Sequence, residues 1–289
     1  MKITIASGKG GTGKTTLAVN ISALAAEKNF GNIGLYDCDV EAPNDELFIK
    51  LKNKNCFDVS VMLPEINESN CLKCGKCSEI CNFHAFAFFQ KLKKILFFPN
   101  MCHSCGACIE LCPQKCINEN KKKIGFISKG VINNLTVISG NLLTREILSP
   151  VIIKKIFRDM PENELSIIDA PPGASCTVVQ SVINADKCVL VTEPTSFGLF
   201  DLKLAVELLR NLKKDFFIVI NKFDDNNNII DDYCAKEKIE VIARIPFDEK
   251  IARLYSDGQL LITDLKYKEL FSSILEKLLL NETNNNHKR

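Results

Sequence analysis

Two stretches of the 289-residue chain hold the residue types that do chemistry. The first, Gly8-Lys9-Gly10-Gly11-Thr12-Gly13-Lys14-Thr15-Thr16, fits the pattern G-x4-G-K-S/T. In such a loop the backbone amides surround a β-phosphate, Lys14 reaches the β and γ oxygens, and the Thr15 hydroxyl ligates Mg2+. The second is a pair of cysteine blocks, Cys71-x2-Cys74-x2-Cys77-x3-Cys81 and Cys102-x2-Cys105-x2-Cys108-x3-Cys112-Pro113. Thiolates so placed bind soft metal centres, and zinc competes for any pair of Cys-x2-Cys motifs. Zinc does not account for a duplicated block of four at 3-3-4 spacing, whereas 4Fe-4S cubes do.

The elements around these residues must hold them in place. The β-branched run from Lys2 to Ser7 predicts a strand, and apolar residues at helical spacing from Leu17 to Lys28 predict a helix, so the glycine loop lies between strand and helix. Further apolar runs at Ile33–Tyr36, Leu135–Ser139, Leu165–Ile168, Cys188–Thr192, Phe216–Ile220 and Glu240–Ile245 alternate with amphipathic segments such as Leu199–Leu212. That order predicts an α/β fold, a mostly parallel sheet with helices on both faces. Between about Ile66 and Lys123 the pattern changes to cysteines, short apolar pieces and lysines, then the alternation resumes. The expected organisation is a nucleotide domain in two parts, residues 1–65 and 119–280, with a small α+β module of residues 66–118 inserted in it. A module of that size needs staples, for which metal is the candidate. Its phenylalanines (Phe83, Phe86, Phe88, Phe89, Phe97, Phe98) are expected to form its core. The apolar stripe Leu270, Phe271, Ile274, Leu275, Leu278 and Leu279 is expected to pack a last helix on the sheet, and the Asn-rich residues 281–289 to be disordered.

Composition limits the function classes. Fourteen cysteines in 289 residues fall short of a secreted disulfide scaffold, and no signal peptide precedes the first strand, so the reducing cytoplasm is the expected compartment. No apolar run reaches the roughly 20 residues of a membrane span. A net charge of +2 gives no reason to expect nucleic-acid binding. From Ile66 to Lys123, nine lysines face four glutamates, which reads as compensation for buried anionic cubes.

Several motifs together resemble one family. Lys9 in the loop gives KGGTGKTT, similar to the deviant phosphate loop of the MinD/ParA and nitrogenase-iron-protein class. The resemblance implies an ATP-clamped dimer, homodimer or related heterodimer, in which Lys9 crosses to the partner's nucleotide. Asp37-Cys38-Asp39 resembles the first switch, with Asp39 orienting the attacking water. Leu165–Gly173 (LSIIDAPPG) resembles the second, with Asp169 holding Mg2+ through water and the Gly173 amide sensing the γ-phosphate. Phe216–Lys222 resembles the adenine-recognising segment, with Asn221 on the base. The cysteine blocks are similar to bacterial ferredoxins, in which the fourth cysteine of each block reaches across. By that likeness Cys71, Cys74, Cys77 and Cys112 hold one cube, and Cys102, Cys105, Cys108 and Cys81 the other. Asn82 stands where the first block would usually carry proline.

Over its whole length the chain resembles MinD-superfamily ATPases with an inserted ferredoxin domain. The resemblance implies an enzyme that binds ATP, Mg2+ and two 4Fe-4S clusters, with an unidentified redox partner or client protein. The leading expectation is an ATP-gated electron carrier. A cluster or metal-centre delivery factor is the alternative, and a positioning ATPase with structural or redox-sensing clusters a further one. Cys56, Cys116, Cys188 and Cys234 read as buried or incidental thiols; Cys176 or Cys38 is a candidate for an additional intersubunit cluster.

Overall fold

The computed structural model describes residues 1–51 and 53–280; the tail expected at 281–289 lies outside them. Eleven strands are found among the described residues: β1 (Lys2–Ala6), β2 (Ile33–Asp37), β3 (Lys54–Ile66), β4 (Phe86–Phe89), β5 (Lys94–Phe97), β6 (Ile117–Ile132), β7 (Leu135–Leu142), β8 (Leu165–Asp169), β9 (Lys187–Thr192), β10 (Asp215–Phe223) and β11 (Val241–Pro246). The chain divides into two compact units. Among the described residues one comprises residues 1–56, 127–141 and 150–280, the other residues 57–126 and 142–149.

In the first unit, strands β11-β10-β9-β1-β8-β2-β7 lie side by side, and every pairing among them is parallel. Parallel strands are buried on both faces, which is why these segments read as nearly continuous apolar runs. Alternation assigns the faces. Ile3, Ile5, Val189, Val191 and Val219 enter one core; Ala6, Cys188, Leu190, Ile218 and Ile220 enter the other. The first core is covered by the helices Lys14–Glu27 and Leu265–Leu280, the second by Cys176–Val182, Ser196–Asn211 and Ile229–Glu237. The last helix packs as its stripe predicts, with Phe271, Ile274, Leu275 and Leu278 at most 1% exposed.

The second unit extends past the cysteine-rich segment on both sides, because most of the long strands β3 and β6 belongs to it. Its hairpin pairs β4 with β5 antiparallel, Phe86 opposite Phe97 with ring centroids 4.9 Å apart. The phenylalanine core is smaller than expected. Phe86 is buried, but Phe83, Phe89 and Phe98 are 38–46% exposed, since much of the interior is taken by Cys77, Cys108 and Cys116 with Ile117. Nor are all the lysines spare: Lys122 pairs with Glu146 at 2.8 Å and Lys123 with Asp58 at 2.6 Å.

Candidate functional site

The glycine loop leaves β1 at Ser7 and ends at Lys14, the first residue of the helix Lys14–Glu27. Gly13 has φ +99°, and a Cβ there would lie 2.3 Å from Asn221 Nδ2, so glycine is required twice over. Asn221 donates that amide to the Thr12 carbonyl at 2.8 Å. The Gly173 amide donates to the Ser7 carbonyl at 3.0 Å, tying the second switch to the root of the loop. A cavity of about 360 Å3 opens over Gly10, Lys14, Thr15, Asp39, Asn44 and Asn221, and on its far side over Phe247 and Tyr255. Gly10, Gly11, Gly13, Lys14, Thr15, Thr16, Asp39 and Asn221 of the predicted nucleotide residues thus line one cavity beside the ends of parallel strands, where such sheets bind ligands, whereas Lys9 is turned to Glu193.

Charge is concentrated beneath this cavity. Thr15 Oγ1 donates to Asp169 Oδ2 at 2.6 Å. Burial holds the Lys14 ammonium below the ordinary lysine range, while Asp169 and Asp39 pull it back up. Burial likewise raises the Asp39 carboxyl, opposed by Lys14. Asp169 is pushed up to about 6, chiefly by burial, against the Thr15 hydroxyl and Lys14. A folded-state pKa above the unfolded one stabilises below the unfolded value and is lost as pH rises through the folded value. The metal- and nucleotide-free protein is therefore expected to lose thermal stability between about pH 4 and pH 6. Asp169→Asn should flatten the slope, and an unchanged slope in that variant would refute the assignment.

Two residues at this site, Asp45 and Glu193, were not read from the sequence, and Asp37 was read only as part of the first switch. Asp37 accepts the amides of Asp39, Asn44 and Asp45 at 3.1, 2.8 and 3.1 Å, closing the first switch into a tight turn. That turn carries Asp45, fully buried, to within 4.8 Å of Asp37 and Asp169 by their ligand oxygens. Glu193, at the end of β9, takes Lys9 at 3.1 Å and also Lys222. Burial raises the Glu193 carboxyl, but the two lysines outweigh it and leave it below the usual carboxylate range. No spacing rule marks an acid eight residues beyond a switch, or one before a proline. The only signal was the burial of the strand ends that precede them.

In the second unit the cysteines fall into two groups. One cavity is lined by Cys71, Cys74, Cys77 and Cys112, the other by Cys81, Cys102, Cys105 and Cys108. The two blocks fold alike. Gly75 and Gly106 have φ +78° and +77° and start matching four-residue helices. Lys73 and Ser104 are left-handed at equal offsets, and their amides donate to Cys71 and Cys102 Sγ at 3.4 Å. Burial raises the Cys77 and Cys102 thiols and takes Cys108 to about 11. Cys116 is buried, one of the two readings given to it, and it lines the first cavity with its Sγ 3.5 Å from that of Cys112. Cys38 is fully buried and Cys176 exposed at the start of its helix.

Comparison with known proteins bears on the first unit most directly. Residues 3–262 match the family described as the CobQ/CobB/MinD/ParA nucleotide binding domain. An uncharacterized protein of Methanocaldococcus jannaschii is 33% identical over 282 residues, covering 96% of this chain and 96% of its own. An iron-sulfur cluster carrier protein of Pyrococcus furiosus is 26% identical, covering 96% of this chain and 85% of its own. The septum site-determining protein MinD of Pyrococcus horikoshii, solved with Mg-ADP, shares the fold with a TM-score of 0.58 at 17% identity, covering 96% of each chain. With the phosphate loop and the parallel sheet in place, the chain belongs to the CobQ/CobB/MinD/ParA nucleotide-binding family and is an ATPase of the MinD/ParA type.

Proposed function

We propose that this ATPase is a dimeric iron–sulfur protein in which nucleotide turnover gates electron transfer through two 4Fe-4S clusters. The grouping of eight cysteines into two crossed sets of four carries the reading. Soft thiolates, four to a set and partly shielded by Ile66, Ile95 and Ile109, fit iron–sulfur cubes better than hard cations. When bound, the cubes supply one-electron storage at potentials set by the peptide. The amides of Lys73 and Ser104, aimed at ligand sulfurs, are among the groups that raise those potentials.

The phosphate loop drives the cycle. Its amides and Lys14 neutralise the phosphate charge, the Thr15 hydroxyl and Asp169 serve Mg2+, and Asp39 accepts a hydrogen bond from the attacking water. The orphaned, fully buried Asp169 Oδ1 is the acceptor that a hydrated Mg2+ suits. Asn221 and Phe247 border the end of the cavity that takes the base. Lys9 must leave Glu193 before it can cross to a second subunit, so nucleotide and dimer compete with an internal ion pair. Gly173, bonded to Ser7, moves with the γ-phosphate and transmits its presence.

Anaerobic reconstitution, then ATPase assay and EPR with the clusters oxidised and reduced, tests the coupling. Turnover that responds to redox state, or cluster potentials that shift with Mg-ATP, supports gating; indifference in both directions removes it. A delivery role is the second reading, favoured by the relative named an iron-sulfur cluster carrier protein. Rapid iron transfer to an apo-ferredoxin would establish it, whereas four thiolates around each cube favour retention.

A further inference from the structure

Beneath the phosphate loop, three buried carboxylates present more negative charge than their surroundings answer. Asp37, Asp45 and Asp169 are each at most 1% exposed, delivered by the end of β2, the first turn of the helix Asp45–Phe48 and the end of β8. Asp37 is well supplied with backbone amides, and one Asp169 oxygen takes the Thr15 hydroxyl. Asp169 Oδ1 and both oxygens of Asp45 have neither solvent nor a donor from any other residue, and the two carboxyls stand within hydrogen-bond reach of each other. Lys14 brings one positive charge to Asp169 and Asp39, and among the described residues no cation acts on Asp37 or Asp45. Burying carboxylates without partners is costly, and nature answers it with a metal or with protons.

The spacing discriminates between cations. One oxygen from each residue lies within 4.8 Å of the others. Two ligands facing each other across Mg2+ stand about 4.2 Å apart, and across an ion with 2.3–2.6 Å bonds roughly 5 Å apart. The set therefore accepts a divalent ion with little or no contraction. Mg2+ in phosphoryl-transfer sites is usually held by one or two carboxylates and completes its shell with the substrate's phosphates. Here a third carboxylate, Asp45, has come in from outside every motif.

We infer that Asp37, Asp45 and Asp169, with the Thr15 hydroxyl, bind a divalent cation before any nucleotide arrives, and that Asp45 is the residue that makes the site independent of phosphate. The metal then waits at the loop, and nucleotide binding exchanges part of its shell for phosphate oxygens. The inference is independent of the iron–sulfur reading, because every residue in it belongs to the first unit.

The test uses the full chain with its clusters oxidised, a state with no EPR signal of its own to obscure Mn2+. After removal of nucleotide and chelation of metals, the protein is titrated with MnCl2 and free Mn2+ is read from its six-line spectrum. One site per chain, displaced by Mg2+, is the expected result in wild type. Asp45→Asn should weaken that binding at least tenfold while circular dichroism confirms its fold. Wild-type protein that leaves all Mn2+ free at millimolar concentration overturns the inference without recourse to any variant; the orphaned oxygens of Asp45 and Asp169 then share protons instead. Binding that survives Asp45→Asn unchanged overturns the role of Asp45.

Discussion

Replacing Lys14 by alanine is expected to lower ATP turnover by about 10²–10³-fold, the usual cost of removing one preorganised donor from a developing oxyanion. The side chain is only 7% exposed, so no neighbouring surface lysine can swing in to replace it. Its ammonium is also a counter-charge to Asp169 and Asp39, and the variant should melt earlier as well. Turnover must therefore be normalised to folded protein, measured by circular dichroism at the assay temperature. Lys14→Arg should fail almost as badly, because a planar guanidinium does not place one compact charge at the same point. Turnover within threefold of wild type in Lys14→Ala would mean that the cavity over the loop is not where hydrolysis occurs.

The second large effect concerns the crossed cysteine sets. Reconstituted wild type is expected to hold about eight irons per chain, four for each cube. Removing Cys71 and Cys74 together should leave about four, held by Cys81, Cys102, Cys105 and Cys108. On that background Cys81→Ala becomes decisive. Cys81 shares a sequence block with the residues already removed, yet lines the cavity of the other block. Crossed ligation predicts that iron falls further and the remaining EPR signal changes or disappears. Ligation block by block predicts no further loss, and that outcome would break the assignment.

What the sequence made legible was local. Strand, loop and helix around Gly8–Thr16 follow from β-branched residues, glycines and apolar periodicity within thirty residues, and the structure realises them as β1 and the helix Lys14–Glu27. The doubled cysteine spacing likewise announced two alike folds, which Gly75 and Gly106 carry out with matching backbone angles. Asp45 and Glu193 were illegible for a physical reason. Each matters through a partner more than a hundred residues away, Asp169 for the one and Lys9 for the other. The extent of the second unit was hidden because β3 and β6 mix lysines and polar residues with their apolar positions, so neither gives the unbroken apolar run that betrayed the central strands.

The place of β1 in the sheet orders events during synthesis. Residues 2–6 pair with 165–169 on one side and 187–192 on the other, so the centre of the sheet waits for about 190 residues to leave the ribosome. Contacts so distant in sequence are slow to close. All eight cysteines of the two blocks have emerged by residue 112. At ordinary elongation rates the remaining 80 residues take roughly 4–16 s. During that interval the thiols are present on a chain whose ATP site does not yet exist.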